Sequence, residues 1–195
     1  MSGLRVIGGK ARSRRLRSVP GDTTRPITDR VKEALFNILG ADIQGASFLD
    51  LFAGSGSVGI EALSRGAAHV LFVDLNPEPV KVIRHNLRLT DLETGAEVRR
   101  ADALALLAGP APRRFEYVYI APPQYQGLWK QALLRLDANP AWLADDAWVI
   151  VQIHPVEYED LRTGEALRCL QQFDRRDYGS TLLVFYERLP AGPTD

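Results

Sequence analysis

Residues Phe48 to Gly59 read F-L-D-L-F-A-G-S-G-S-V-G. Apolar residues flank Asp50, which is the pattern at the end of a buried strand. The chain then turns through Gly54, Ser55 and Gly56. It continues as V-G-I-E-A-L-S-R-G-A with helical spacing, Ile60, Leu63 and Ala67 falling on one face and Gly66 acting as a stop signal. A strand, a glycine turn and a helix form the entry to a nucleotide-binding α/β domain. Glycines belong there because the backbone turns sharply and approaches a ligand with no Cβ in the way.

Gly54, Gly56 and Gly59 also satisfy G-x-G-x-x-G, a weak signal with two readings. In one, the helix N-terminus holds the pyrophosphate of a dinucleotide. In the other, the loop cradles the methionine and ribose portion of S-adenosylmethionine. Both expect an acid at the end of the next strand, and Asp74, closing H-V-L-F-V-D, lies at about the ~20-residue separation required. Asp50 favours the second reading. A carboxylate just before the turn repels a pyrophosphate but suits a cationic amino group.

Outward from this stretch the composition is that of a soluble globular protein of one domain with a small appendage: 195 residues, 46% hydrophobic, 25% charged. No apolar run approaches the ~18 residues of a membrane span. The basic N-terminus has no apolar segment after it, so no secretory signal is expected. Cys169 is the only cysteine, which excludes an intrachain disulfide and a cysteine-rich zinc site and fits the reducing cytoplasm. No metal site is expected, since neither His69 nor His85 has ligand spacing. Net charge is zero, yet Arg5, Lys10, Arg12, Arg14, Arg15 and Arg17 all precede the first acid, Asp22. A basic arm on a near-neutral body is the footprint of a polyanion partner, with nucleic acid the obvious candidate.

Residues 4 to 19 have the pattern of a small hairpin with a Gly- and Arg-rich turn. An isolated hairpin is marginal in water, so it leans on the main domain or orders on RNA. Thr28 is placed to cap an amphipathic helix, D-R-V-K-E-A-L-F-N-I-L, with Val31, Leu35, Ile38 and Leu39 on one side. Strands are then expected near 47–52, 69–74, 97–101, 116–120, 147–153, 167–174 and 181–187. Helices are expected near 57–65, 77–89, 103–108, 127–137 and 157–163. This alternation predicts an α/β, Rossmann-like fold: a seven-stranded, mostly parallel sheet with an antiparallel last strand. The domain division is a basic arm over 1–24, a main domain over 25–189 and a frayed tail over 190–195.

In such sheets ligands bind at the C-terminal strand ends. The first three ends offer Asp50, Asp74 and Asp102, one carboxylate each, suited to ring one small molecule. Asp74 is assigned to ribose hydroxyls. Asp102, with neighbouring backbone, is assigned to the exocyclic amine of an adenine, or else it caps the helix A-L-A-L-L; both roles can coexist. The fourth end is Ala121-Pro122-Pro123-Gln124-Tyr125. Two prolines fix an extended backbone whose carbonyls can accept from a substrate amine. Tyr125 can stack on a planar base. That suits methyl transfer to an exocyclic nitrogen, in which positioning is the main task.

Together, D-L-F-A-G-S-G, Asp74, Asp102 and the Pro-Pro pair resemble the class I S-adenosylmethionine-dependent methyltransferases. R-V-I-G-G-K-A-R-S-R-R-L followed by R-P-I-T-D-R-V-K-E-A-L-F-N-I-L resembles, more narrowly, the opening of the bacterial RsmD family. Those proteins methylate the exocyclic N2 of a guanine in 16S ribosomal RNA. The similarity runs from about Arg5 to Arg188. It implies that the hairpin contacts RNA, through Arg5, Lys10, Arg12, Arg14, Arg15 and Arg25, and that Arg25 to Asn37 lies over the pocket. The implied cofactor set is Asp50, Phe52, Gly54, Gly56, Asp74, Leu75, Asp102, Ala103 and Ala121. The implied catalytic set is Pro122, Pro123, Gln124, Tyr125 and Asn37. The partner would be ribosomal RNA or the assembling small subunit, met by a cytoplasmic monomer.

One departure matters. The family pattern at the fourth station is D-P-P-Y or D-P-P-F, sometimes with Asn first. Here Ala121 stands in the acid position and Gln124 intervenes before Tyr125. Pro122 keeps its carbonyl, and Gln124 or Asn37 could supply a replacement acceptor. Three outcomes stay open: the same reaction with a rewired acceptor, methylation of another base or atom, or an RNA-binding assembly protein with little turnover. A nicotinamide oxidoreductase is a weaker rival that leaves the arm and the Pro-Pro pair unexplained.

Overall fold

The computed structural model describes residues 4–21, 27–158 and 167–190. Along the chain run α1 (Asp29–Leu39), β1 (Ser47–Leu51), α2 (Ser57–Ser64), β2 (His69–Asp74), α3 (Pro77–Thr90), β3 (Ala96–Arg100), α4 (Ala103–Ala108), β4 (Phe115–Ile120), α5 (Leu128–Ala138), β5 (Leu143–Ile153), β6 (Leu170–Asp177) and β7 (Leu182–Arg188). The seven strands are ordered β3-β2-β1-β4-β5-β7-β6. This is the expected Rossmann-like sheet, with β7 antiparallel to both β5 and β6. The chain divides into two compact units, Met1–Asp102 and Ala103–Asp195.

In the first unit β1 pairs in parallel with β2, Ser47 opposite His69 and Leu51 opposite Val73, and β2 pairs in parallel with β3. Phe48, Leu49, Leu51 and Val70 to Val73 are all fully buried. Strands covered on both faces become continuous apolar runs, which is why these two were legible as strands. Thr28 caps α1 as expected, its Oγ1 accepting from Val31 N at 3.3 Å. The buried side of α1 is Val31, Lys32, Leu35, Phe36 and Leu39. Lys32 and Phe36 replace the expected Ile38, which is only half-buried.

The arm is hairpin-like, with one antiparallel bridge between Arg5 and Arg15. It does not stand alone. Ile7 N and Gly8 N donate to the carboxylate of Glu61 on α2 at 2.8 and 2.7 Å, and Lys10 N donates to Ser64 O at 2.8 Å. Gly9 (φ +74) is needed there, because an added Cβ would sit 1.9 Å from Ser64 O.

In the second unit β4 pairs in parallel with β5, and β6 and β7 form a hairpin closed by Tyr178 N donating to Thr181 O. Two strand bounds differ from expectation. β5 begins at Leu143 rather than 147; its exposed Asp145 and Asp146 hide the strand pattern. β6 begins at Leu170 rather than 167. The buried Asp137 carboxylate accepts from Arg168 N, Cys169 N and Leu170 N at the entry to this strand, while Cys169 O accepts from Leu189 N at 2.7 Å. Cys169 donates through Sγ to Asp137 O at 3.3 Å, and burial pushes its thiol up to about 11, as suits a packing residue rather than a nucleophile. Trp129 and Trp142 are buried, as packing residues should be. The helix expected over 157–163 falls mostly outside the described residues; Pro155–Glu157 form a short 3-10 turn. Arg25 and the tail from 191 on also lie outside them.

Candidate active site

The site residues in the first unit sit where β1 and β2 end. The chain leaves β1 through Phe52 (φ +60), and Gly54 (φ +55) and Gly56 (φ +75) make the turn into α2. An added Cβ at Gly54 would meet nothing within 4 Å, so that side of the turn is open space. At Gly59 an added Cβ would lie 2.3 Å from Phe72 Cε1, so this third glycine serves the packing of α2 on β2.

Two carboxylates brace the turn. Asp74 Oδ2 accepts from Gly54 N at 3.0 Å and its Oδ1 accepts from Asn76 N at 2.9 Å. Such contacts fix the carboxylate's orientation. Asp74 is half-buried, so this anion stays within reach of a ligand. Asp50 is only 2% exposed, and its Oδ2 accepts from Gly59 N at 3.0 Å, satisfying one of the free N–H groups of the first turn of α2. Burial raises the Asp50 carboxyl to about 8; the Gly59 N–H opposes this and the Asp74 charge adds to it. Leu75 is exposed. Asp102 is exposed directly before α4, whose first residue, Ala103, is buried.

An open glycine turn with an oriented carboxylate 3.0 Å from its amide suits a ligand carrying a ribose.

Sequence reasoning missed three buried side chains that hold this turn or the arm beside it. Asn86 of α3 is fully buried. Its Nδ2 donates to Ser55 O in the turn and to Arg17 O in the arm, both at 2.9 Å, and its Oδ1 accepts from Arg17 N at 2.8 Å. Lys32 of α1 donates to Ser57 Oγ at 2.8 Å and to Arg5 O at 2.6 Å. Glu61 lies 3.6 Å from Lys32 Nζ and accepts from Arg65 Nε at 2.8 Å. The available signal was a charged residue inside an apolar helix, as in V-G-I-E-A-L. Asn37, assigned to catalysis, is exposed on α1.

Of the arm cations, Arg5 is paired with Asp29 and Arg14 with Asp91. Lys10, Arg12 and Arg15 are exposed and have no ion pair among the described residues.

The fourth station lies in the second unit. Ala121 is half-buried, Pro122 buried, Pro123 exposed and Gln124 half-buried. Tyr125 is 66% exposed and adopts φ +61, a strained conformation for a non-glycine residue. Two contacts hold it: its N–H donates to Glu157 Oε2 at 2.7 Å, and its ring lies 5.9 Å from that of His154. An exposed aromatic ring on a fixed backbone is equipped to stack on a base. Glu157 also has no signature in the sequence. Among the described residues no cluster of His, Cys, Asp or Glu could hold a metal ion. No helix among them is long and apolar enough to cross a membrane.

A family model described as "Conserved hypothetical protein 95" matches residues 4–187. The chain is 38% identical over 150 residues to "Ribosomal RNA small subunit methyltransferase D" of Escherichia coli (strain K12), covering 76% of this chain and 74% of that protein. It is 37% identical over 187 residues to YlbH of Bacillus subtilis (strain 168), covering 95% and 99%. The solved structure of yhhF from Escherichia coli superposes with a TM-score of 0.81 at 32% identity, covering 97% of this chain and 100% of that one. The glycine turn, its two carboxylates and these matches agree: the chain belongs to the RsmD family of S-adenosylmethionine-dependent methyltransferases.

Proposed function

We propose that the chain methylates the exocyclic N2 of a guanine in 16S ribosomal RNA, as a cytoplasmic monomer. The observation that carries this reading is the Asp74 carboxylate fixed 3.0 Å from the Gly54 amide at an open turn. The substrate class follows the Escherichia coli relative, a ribosomal RNA small subunit methyltransferase.

Bound S-adenosylmethionine supplies a sulfonium methyl group open to attack by a nitrogen lone pair. Asp74 accepts from the ribose hydroxyls. Asp50 faces the ligand's cationic amino group, which favours the ionised carboxylate that burial alone disfavours. Asp102 and the backbone at Ala103 take the adenine amine. Phe52, Leu75 and Ala121 line the cofactor, and Gly54 and Gly56 let it approach the backbone. Pro122 and Pro123 present rigid carbonyls, and Tyr125 stacks on the target base. Ala121 offers no acceptor, so Gln124 or Asn37 takes the role of the missing acid. The arm, residues 1–24, engages phosphates through Arg5, Lys10, Arg12, Arg14 and Arg15, with Arg25 just after it; residues 25–189 form the catalytic domain. Arg5 and Arg14 exchange their carboxylate partners for phosphate when RNA binds.

The test is to methylate small ribosomal subunits lacking the modification and digest their RNA to nucleosides. N2-methylguanosine is expected. A different methylated nucleoside contradicts the assignment of the base.

A further inference from the structure

We propose that the RNA-binding surface continues from the arm onto the outward face of α3, where Lys81, Arg84 and Arg88 form a track for the phosphate backbone of the substrate RNA. The proposal rests on the reading of the chain as an RNA methyltransferase and adds a surface to it.

The three cations occupy positions i, i+3 and i+7 of one helix, and all are exposed. At 1.5 Å per residue the stripe is about 10 Å long. The opposite side of α3 carries Pro79, Val82, Ile83, Asn86, Leu87 and Thr90, all buried, so the stripe faces away from the core.

The charge pattern is unfavourable for α3 in isolation. Arg84 has Lys81 three residues before it and Arg88 four residues after it, and like charges at these spacings repel. Neither Arg84 nor Arg88 has an ion pair among the described residues. Lys81 alone is paired, with Glu78 at 2.7 Å. Arg88, in the last turn, gains from the helix dipole; Arg84, in the middle, does not. A local arrangement that opposes folding and serves no internal contact is the kind found at binding surfaces.

The arm is fixed along the flank of the same helix. Asn86 holds both the N–H and the C=O of Arg17, and Arg14 donates to Leu89 O at 3.0 Å and pairs with Asp91. Hydrogen bonds at 86 and 89 therefore hold residues 14 to 17 beside α3. Arm and stripe together present Lys10, Arg12, Arg15, Arg17, Arg84 and Arg88 without ion pairs among the described residues. The carboxylates nearby, Glu78 and Asp91, are paired; Glu93, beyond the helix end, is the exposed exception. Polyanion binding is the chemistry this surface fits.

The test compares the wild type, Arg84→Ala/Arg88→Ala and Arg12→Ala/Arg15→Ala in binding a labelled 16S ribosomal RNA transcript across a salt series. Each lost phosphate contact reduces the slope of log affinity against log salt by about 0.7–0.9. The α3 variant is therefore expected to lose about 1.5 units of slope, to raise KM for RNA and to keep its affinity for S-adenosylmethionine. Its melting temperature should change little, since both side chains are exposed and the repulsion relieved offsets the helix-dipole gain lost with Arg88. If the α3 variant matches the wild type in slope and affinity while the arm variant is weakened, the track is overturned and the methyltransferase reading stands. If the wild type shows no salt-dependent binding to the transcript, the RNA reading fails and the track with it.

Discussion

Lys32 Nζ lies 3.6 Å from Glu61 Oε2, and neither side chain is exposed. The pair joins α1 to α2, and its other hydrogen bonds reach Arg5 O, Ile7 N and Gly8 N in the arm. Burial lowers the Lys32 pKa, and Glu61 opposes that shift. Removing Glu61 leaves Lys32 as an uncompensated buried charge, which costs about 3–5 kcal/mol. Glu61→Met is expected to lose that much stability in urea denaturation. Lys32→Met/Glu61→Met should lose less than the sum of the two single variants, because their ΔΔG values are coupled. Additive losses would show that the pair is not a unit.

The Asp50 carboxyl, raised by burial to about 8, gives stability a pH dependence of known sign. In the unfolded chain it loses its proton near ~4. Between these values the folded state binds the extra proton, so stability falls as pH rises. Asp50→Asn removes the titration. The melting temperature of the variant relative to wild type should therefore rise between pH 5 and pH 8. A difference that stays flat over this range would mean that Asp50 is ionised throughout.

Gly59→Ala places a Cβ 2.3 Å from the ring of Phe72. Overpacking of this kind costs roughly 1–3 kcal/mol. Thermal unfolding should show the loss, and Phe72→Leu should recover part of it by making room. No recovery would point to the backbone of α2 rather than the ring.

These three sites mark the limit of what the sequence reveals. β1, the turn and β2 were legible because parallel strands buried on both faces are unbroken apolar runs and the turn needs glycine. The capping of α1 by Thr28 was legible because it depends on one residue and its local neighbours. The docking of the arm was not, since Glu61 and Asn86 bind backbone groups 53 to 69 residues away and backbone groups carry no sequence signal. The role of Asp137 was hidden for the same reason: it binds the amides of Arg168 to Leu170, 31 to 33 residues away. At the fourth station the strain of Tyr125 and its tie to Glu157 could not be seen in A-P-P-Q-Y. The acids at the strand ends were visible, but not that Asp50 is buried while Asp102 is exposed.

Asp74 holds Gly54 and Asn76 by their amides at the turn where the ribose is placed. Hydrogen bonds to a charged group are worth about 1.5–3 kcal/mol, so Asp74→Ala should weaken S-adenosylmethionine binding roughly 10- to 150-fold in calorimetric titration. Unchanged affinity would remove Asp74 from the cofactor site.

The most direct test of the account is incorporation of labelled methyl from S-adenosylmethionine into small ribosomal subunits lacking the modification, comparing the protein with Ala121→Asp. The account predicts that the protein carrying Ala121 transfers methyl, its acceptor role having moved to another group. Transfer by the Ala121→Asp variant alone would show that the fold and binding surfaces are kept but the acceptor has not been replaced. Transfer by neither would contradict the substrate itself.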